Sequence, residues 1–403
     1  MKTSPIIRLY LLVLCFLVTP AFQSFSQVSV DQAPPPFQVV GTKVYKDGNL
    51  YEAKHVGYAG LRNNEFPGPP WGICICNRGS TTNPFQCLGA GVGTYDRGRA
   101  RIDYDLNLIR AMNANGIRTW DQVNRDLLDS AAARNLLVTA GINLLWQDSN
   151  GVTYGTSAAS VAFENNEIAK AVAYVRIYKN HPAVFAWIMG NEVEINIPGT
   201  VVPAYMAFLE RLAQAIKVED PIHLVTTAIA YNPGLVQQYN AALPSLDFWS
   251  LNIYFDPANP HWVGPYANAS NKPLYVSEYG EDVFDHTGDI FDQFSQGSEN
   301  ETWHASVNGQ MAQVIRTEVT RNWASQPNAR TFGGAIFQFN DQDWQTRGWG
   351  DACHHGIDQD GWHGPLDYQD IEYHGIFRNT PTTANPNALT ARQLAARLTQ
   401  IWQ

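Results

Sequence analysis

The chain is poor in charged residues and lacks a run of basic ones. Asp, Glu, Lys and Arg make up only 16% of its 403 residues, and the formal net charge is −10. An acidic chain without a Lys/Arg run argues against binding to nucleic acid and to anionic membrane surfaces. Because 45% of the residues are hydrophobic, a sizeable core can form, and this composition excludes a largely disordered chain.

Long apolar runs are also missing. No stretch reaches the roughly 18 consecutive apolar residues of a membrane-spanning helix. A short apolar run at 11–18 follows Lys2 and Arg8 and precedes small residues, an order typical of an export signal. We therefore expect a signal peptide at 1–26, a Pro-rich linker at 27–36 and the main domain at 37–403, in a protein that is secreted or periplasmic.

Cysteine is scarce, and Cys15 lies inside the expected signal. In an exported chain the other four are expected to form disulfides rather than a metal site, with a thiolate zinc site as the alternative. Four cysteines allow three pairings, and the sequence does not choose among them. A bridge between Cys74 and Cys76 would be strained, so each of these is expected to reach Cys87 or Cys353.

Strands and helices alternate along the main domain after a hairpin signal at Asp47-Gly48. Eight short apolar runs are typical of parallel strands covered on both faces. The predicted strands begin at Val56, Ile117, Leu136, Val184, His223, Phe248, Leu274 and Gly333. Eight such units close into a barrel, so we expect an α/β fold, a (β/α)₈ TIM barrel preceded by a short β-hairpin. A doubly wound open sheet is less consistent, because no Gly-rich phosphate loop follows the first strand.

The segments between the predicted strands are of two kinds. Helical patterns predict helices that include Ile102–Met112, Ile168–Tyr178, Pro203–Val218, Trp303–Trp323 and Leu389–Trp402. In contrast, an insertion rich in Gly, Pro and Cys separates the first two strands, from Leu61 to Thr94.

Two glutamates follow buried strands where such a barrel carries its active site. Strand four ends in Asn191-Glu192, and strand seven ends in Ser277-Glu278. Functional side chains lie at the carboxyl ends of barrel strands, so both carboxylates are expected at one rim. Glycoside cleavage requires one protonated and one ionised carboxyl group. Glu192 and Glu278 are therefore the catalytic candidates, while Glu194 and Glu281 are interpreted as loop carboxylates unless the strand ends are misplaced.

These motifs resemble those of the clan A glycoside hydrolases, which are retaining β-glycosidases on (β/α)₈ barrels. The segments Asn252-Ile-Tyr254, Gly333–Asp341 and Glu372–Phe377 are similar to the catalytic barrel of the family 2 members. Met189–Val193 and Val276–Gly280 also resemble the fungal β-1,3-glucanosyltransferases of the same clan. The sequence departs from family 2 in two respects: there is no room for β-sandwich domains before the barrel, and Phe337 replaces the usual strand-eight Trp.

The resemblance implies a role for each residue near the two glutamates. Glu192 would be the acid/base and Glu278 the nucleophile. Asn191 would hydrogen-bond the sugar 2-hydroxyl, Arg118 would pair with Glu278 and keep it ionised, and Tyr254 would donate to the same carboxylate. The alternatives are an ordinary ion pair for Arg118 and simple packing for Tyr254.

Two tryptophans and a His/Asp-rich stretch complete the candidates. Trp120 and Trp344 are expected to line sugar subsites, Trp344 in place of the usual strand-eight Trp, with packing as the alternative. The stretch Asp351–Asp370 contains His354, His355 and His363 and faintly resembles a calcium loop, but it lacks the full ligand pattern. We favour an ordered loop over the site, and we expect no metal and no other cofactor.

The sequence thus predicts a retaining glycoside hydrolase that acts on β-linked oligo- or polysaccharides. A β-glucan is favoured, and a β-galactoside or a β-mannan is nearly as consistent. A transglycosylase would use the same residues, whereas a non-catalytic carbohydrate-binding barrel is expected to lack one carboxylate. A metal-dependent barrel hydrolase is less consistent, because the segment that begins at Val56 has no paired histidines. Oligomeric state cannot be predicted from these patterns.

Overall fold

A computed structural model describes residues 36–62, 65–67, 73–76, 85–87, 95–285, 298–342 and 373–403, except 383 and 386. For 66–67, 73–76, 85–87 and 285 it describes the backbone alone. The expected signal peptide, all of the linker before residue 36, Cys353 and the stretch 351–370 lie outside the described residues.

Eight parallel strands form a closed barrel in sequence order, with the eighth paired to the first. Barrel strands 1 to 8 are Ala53–Gly57, Gly116–Arg118, Leu137–Ile142, Val184–Asn191, Leu224–Ala230, Trp249–Asn252, Leu274–Tyr279 and Thr331–Ile336. Most of their residues are buried, as expected for parallel strands covered by helices outside and by side chains inside. The predicted (β/α)₈ fold is confirmed.

Helices follow every barrel strand and form the outer layer. They are Arg99–Ala111, Arg125–Ala132, Ala158–Tyr178, Val193–Asn196, Val202–Glu219, Pro233–Tyr239, Val263–Ala269, Glu301–Trp323 and Gln393–Ile401. Four of them begin at a side chain that accepts a hydrogen bond from the backbone N–H three residues later: Asn124, Ser157, Asn232 and Asn300. Among the described residues, no helix combines the length and apolar character needed to cross a membrane.

Most predicted boundaries lie within two residues of the observed ones, and the structure differs more clearly in three places. Barrel strand 1 begins at Ala53 rather than Val56, because His55 is buried with its ring nitrogens 2.8 Å from the hydroxyls of Tyr51 and Tyr275. Leu389–Ala391 is a strand paired with Phe377–Asn379, so the last helix starts only at Gln393. The insertion carries a three-stranded antiparallel sheet of Glu65–Pro67, Ile73–Cys76 and Phe85–Cys87.

The amino-terminal end of the barrel is covered by a sheet that we call the floor. It consists of Phe37–Val40, Lys43–Lys46 and Asn49–Leu50. Asp47 and Gly48 have φ values of 51° and 78°, as a two-residue hairpin turn requires, and the predicted hairpin is confirmed. Phe37 packs edge-on against Phe185, near the start of barrel strand 4, with ring centroids 5.0 Å apart. The carboxyl end of the barrel is thus the end left to carry a site.

Candidate active site

Glu278, near the carboxyl end of barrel strand 7, is the centre of the site and is only 6% exposed. Nη1 of Arg118 lies 2.9 Å from its Oε1. The indole N–H of Trp120 donates to the same oxygen at 2.7 Å, and the hydroxyl of Tyr254 donates to Oε2 at 2.9 Å. Three side chains that were candidate site residues from the sequence therefore meet on one carboxylate.

Burial and these partners act on Glu278 in opposite directions. Burial raises the pKa of Glu278 to about 7, while the guanidinium of Arg118 and the Tyr254 hydrogen bond act to lower that pKa. Arg118 lowers the pKa of Glu278, but burial raises this pKa by more. Removal of its hydroxyl from water and the carboxylate of Glu278 also raise the pKa of Tyr254 well above its ordinary value, so this hydroxyl stays a donor.

Arg118 and Trp120 are held as a stacked pair. The guanidinium carbon of Arg118 lies 4.1 Å from the centroid of the Trp120 ring, and Arg118 is fully buried. Gly57, the last residue of barrel strand 1, makes room for the indole, since a Cβ there would lie 2.7 Å from Cη2 of Trp120. The indole N–H therefore reaches Oε1 of Glu278, while the hydroxyl of Tyr254, two residues after barrel strand 6, reaches Oε2.

Asn252 connects the side chains of Glu192 and Asn191. Its Nδ2 donates to Oε1 of Glu192 at 2.9 Å and to Oδ1 of Asn191 at 3.2 Å. The hydroxyl of Ser277 donates to Oδ1 of Asn252 at 2.7 Å and so orients this amide. Arg118 also donates to Oδ1 of Asn191, at 2.5 Å. One hydrogen-bonded chain thus runs from Glu192 to the cation that faces Glu278.

The two neighbouring carboxylates lie outside this chain of bonds. Oε1 of Glu194 accepts from the backbone N–H of Ala230 at 2.7 Å, at the end of barrel strand 5. Glu281 lies beyond barrel strand 7, where its backbone N–H donates to Oδ1 of Asn308 at 2.9 Å and its C=O accepts from the same amide at 3.0 Å. Burial raises the pKa of the Glu281 carboxyl well above its ordinary range. Neither Glu194 nor Glu281 therefore takes part in the side-chain hydrogen bonds that connect Glu192, Asn252, Asn191 and Arg118.

Two aromatic side chains extend the wall of the site. Phe337 packs edge-on against Trp120 and His374, with ring centroids 5.6 Å and 5.3 Å apart, and against Tyr254 at 6.3 Å. Burial lowers the pKa of His374 to about 3, so its imidazole is neutral at ordinary pH. Trp344, which was expected to occupy this region, lies outside the described residues.

No role was predicted from the sequence for Asn252 or His374. Asn252 ends barrel strand 6, so the rule that selected Glu192, a polar residue directly after a buried strand, could have found it. His374 follows no barrel strand, and its only signal is its place in a segment similar to family 2. Its position depends on chain pairing, since its C=O accepts from the N–H of Gln338 at 3.2 Å.

Comparison with known proteins gives relatives of low identity. Residues 97–343 match the model of the glycosyl hydrolases family 2, TIM barrel domain. A mannan endo-1,4-β-mannosidase A from Hypocrea jecorina is 26% identical over 199 residues, 41% of this chain and 44% of that one. A mannan endo-1,4-β-mannosidase F from Aspergillus clavatus is 28% identical over 262 residues, 54% of each chain. The chain thus spans about half the length of these curated relatives.

Solved structures share the fold at still lower identity. The β-glucuronidase of Ruminococcus gnavus is 16% identical, with a TM-score of 0.58, over 91% of this chain and 52% of that one. A β-galacturonidase from Eisenbergiella tayi is 15% identical, with a TM-score of 0.55, over 91% and 54%. The family model covers more than half of the chain, including Arg118, Glu192 and Glu278. The chain belongs to the glycosyl hydrolases family 2, TIM barrel domain.

Proposed function

We propose that this chain is a retaining β-glycosidase that hydrolyses O-glycosyl bonds in oligo- or polysaccharides, with Glu278 as nucleophile and Glu192 as acid/base. The observation that carries the proposal is the difference between the two carboxylates. The cation of Arg118 and two hydrogen-bond donors, Trp120 and Tyr254, surround Glu278, whereas the side chain of Glu192 accepts from the amide of Asn252. A nearby cation and hydrogen-bond donors stabilise an anion and suit a nucleophile.

In the first step, a carboxylate oxygen of Glu278 attacks the anomeric carbon. The glycosidic C–O bond breaks as Glu192 gives its proton to the leaving oxygen, and a covalent glycosyl ester forms on Glu278. In the second step, Glu192 takes a proton from water, and the resulting hydroxide displaces Glu278 from the sugar. Two inversions at the anomeric carbon give net retention.

Asn191 is proposed to bind the sugar rather than to take part in proton transfer. Its Oδ1 accepts from Arg118 at 2.5 Å and from Asn252 at 3.2 Å, which orients its Nδ2 group away from both donors. A donor held in this way can hydrogen-bond the 2-hydroxyl, an interaction that strengthens in the transition state. Trp120 and Phe337 would form an apolar wall for the same sugar.

The proposed substrate is a β-linked neutral polysaccharide, with β-1,4-mannan ahead of β-glucan. The curated relatives described above are mannan endo-1,4-β-mannosidases, and each covers only part of this chain. The resemblance of short motifs to glucanosyltransferases favours a β-glucan and rests on fewer residues. Both substrates, together with a β-galactoside, belong in the first panel.

We also propose that the enzyme is exported and carries a disulfide. The signal-like segment 1–26 supports export. In the insertion, the backbone of Cys74 lies opposite that of Cys87 in the antiparallel pair, which favours this pairing over the two others that four cysteines allow. Mass spectrometry of the exported protein would identify its first residue and the bonded cysteines.

The proposed roles are tested by azide rescue. Wild type, Glu192→Ala and Glu278→Ala are incubated with the panel and with the matching aryl glycosides, and early products are followed by NMR. We expect net retention from wild type, an α-glycosyl azide from Glu278→Ala and a β-glycosyl azide from Glu192→Ala. Each variant without azide should lose at least about 100-fold in activity on natural glycans.

Other outcomes separate the alternatives. Full activity in both variants would mean that different residues catalyse the reaction. Products longer than the substrate, formed at the expense of free sugar, would indicate a transglycosylase. Binding without cleavage of any substrate in the panel would support a carbohydrate-binding barrel instead.

A further inference from the structure

The rim turn that carries Glu192 has an unusual backbone. Glu192 has φ 50° and ψ 33°, which is the left-handed region, and Gly190 two residues earlier has φ 65°. Glycine adopts this region freely, whereas a residue with a Cβ does so at a free-energy cost. The turn therefore needs contacts that hold Glu192 in this conformation, because the direction of its Cα–Cβ bond depends on it.

Barrel strand 5 supplies two such contacts. The backbone N–H of Glu192 donates to the C=O of Ala228 at 3.0 Å. Two residues further along each segment, the N–H of Ala230 donates to Oε1 of Glu194 at 2.7 Å. The turn is thus fixed to strand 5 before and after the point where its backbone becomes left-handed.

Asn196 closes the turn from its other side. Its Nδ2 donates to the C=O of Glu192 at 3.0 Å, and the N–H of Ile195 points to the same oxygen at 3.4 Å. The two peptide groups that flank the Cα of Glu192 are therefore both hydrogen-bonded, which fixes the backbone angles of this residue.

Glu194 is a costly residue to place here for packing alone. It is 8% exposed, and its Oε2 is buried without a hydrogen-bond partner in the described part of the chain. A buried polar atom without a partner destabilises a fold, so its presence calls for an explanation. Burial raises the pKa of Glu194 to about 7, so the side chain is mostly uncharged in mildly acidic solution and acts there as a hydrogen-bond acceptor.

We propose that Glu194 and Asn196 are positioning residues that hold Glu192 in its left-handed conformation, with its carboxyl group against Asn252. Without these bonds the Glu192 backbone relaxes towards the right-handed or extended regions, and the carboxyl group turns away from the leaving oxygen. This inference rests on the proposed role of Glu192 as acid/base. Neither residue touches the reacting atoms.

The test uses the dependence of the first step on the leaving group. An acid is needed when the leaving oxygen is a poor leaving group and is dispensable when the group is activated. Values of kcat/KM are measured for wild type and Glu194→Leu on the phenyl and 2,4-dinitrophenyl β-glycosides of mannose and glucose. We expect Glu194→Leu to lose at least about tenfold on the phenyl substrate and less than about threefold on the dinitrophenyl substrate. Glu194→Gln keeps the acceptor for Ala230 and should stay within about threefold of wild type on both.

Glu318→Leu is the matched control. Glu318 is also a buried carboxylate, and its Oε2 has no hydrogen-bond partner among the residues that the structure describes. It lies late in the helix Glu301–Trp323, whose Asn322 donates to the C=O of Thr42 in the turn between the first two floor strands. Its loss is expected to leave the ratio of kcat/KM on the phenyl and dinitrophenyl substrates unchanged. If Glu194→Leu does not fold, Asn196→Ala, a change at an exposed position, is used instead. We expect it to lose kcat/KM on the phenyl substrate and not on the dinitrophenyl substrate.

Two results would overturn the inference: an equal loss on both substrates in Glu194→Leu, or no loss on either. The proposed function fails separately. It fails if wild type cleaves neither these glycosides nor any glycan of the panel, or if Glu192→Ala itself shows no dependence on the leaving group, whatever Glu194→Leu does.

Discussion

The side-chain amide of Asn252 donates to Oε1 of Glu192 at 2.9 Å, from the end of barrel strand 6 to the residue that follows barrel strand 4. In the barrel ladder the same Asn252 lies opposite Glu278. One amide therefore stands between the two carboxyl groups and fixes the position of Glu192. The roles proposed for Glu192 and Glu278 both depend on this geometry.

Replacing this amide by a carboxylate should disrupt the site without removing either glutamate. In Asn252→Asp, an oxygen replaces the donor that faces Oε1 of Glu192 and Oδ1 of Asn191. We expect kcat/KM to fall at least about tenfold, because two hydrogen bonds become repulsive contacts. Ser277→Ala, which removes only the bond that orients Asn252, should have a smaller effect. Equal activity of Asn252→Asp and wild type would show that Asn252 does not position Glu192.

The pH profile of Tyr254→Phe tests how the nucleophile is kept ionised. The Tyr254 hydrogen bond lowers the pKa of Glu278, which burial raises to about 7, so its loss should raise that pKa further. A nucleophile must be ionised, and the acidic limb of the kcat/KM profile should therefore move to higher pH. The loss of rate should be larger at pH 6 than at pH 8. Tyr266→Phe, which removes a buried hydroxyl bonded to the backbone C=O groups of Lys272 and Pro273, should leave the limb in place.

Glu278 should make the fold less stable as the pH rises. Its pKa is raised from 4.5 to about 7 in the folded chain, so its contribution is present below about pH 4.5 and is lost as the pH rises through 7. Glu278→Gln removes this ionisation. Urea unfolding should show the variant gaining about 2 kcal/mol relative to wild type between pH 5 and pH 8. A stability difference that does not change with pH would mean that Glu278 titrates at its ordinary pKa in the fold.

Contacts between the floor and the start of barrel strand 4 should affect the stability of the fold but not the activity of the site. Phe185 is fully buried, and its ring packs against Phe37, Tyr51 and Phe248. Phe185→Ala should lower the free energy of unfolding by about 3 to 5 kcal/mol in urea. Below the unfolding transition, kcat/KM should stay within about twofold of wild type, since the substituted residue lies at the opposite end of the barrel from Glu192. Phe37→Ala should be non-additive with it, because the two rings are in contact.

The alternation of apolar runs was sufficient to predict eight barrel strands and the two glutamates at their ends. Boundaries were less accurate where polar residues are buried. The start of barrel strand 1 was missed because Lys54 and His55 are polar and interrupt the apolar pattern. His55 can be buried there because two tyrosine hydroxyls hydrogen-bond to its imidazole. Short helices such as Pro233–Tyr239 were missed, since seven residues give too few turns for a helical pattern.

Contacts between distant side chains could be predicted only through the family resemblance. The pairing of Arg118 and Tyr254 with Glu278 was expected from it, but the hydrogen bond from the indole of Trp120 to Oε1 of Glu278 was not. That bond depends on the absence of a side chain at Gly57, and no local pattern connects residues 57, 120 and 278. The balance of burial and charge that sets the pKa of Glu278 likewise depends on the assembled barrel.

The floor lies at the opposite end of the barrel from the site, so residues that set thermal stability are distant from those that set turnover. Residues that raise thermal tolerance are often those that stiffen a site and slow turnover. Here the aromatic cluster around Phe185 is covered by the sheet that begins at Phe37, and Phe185 lies near the start of the barrel strand whose far end precedes Glu192. Repacking that cluster can therefore raise heat resistance without changing the rim. Substitutions in the loops at the rim can change the substrate specificity independently.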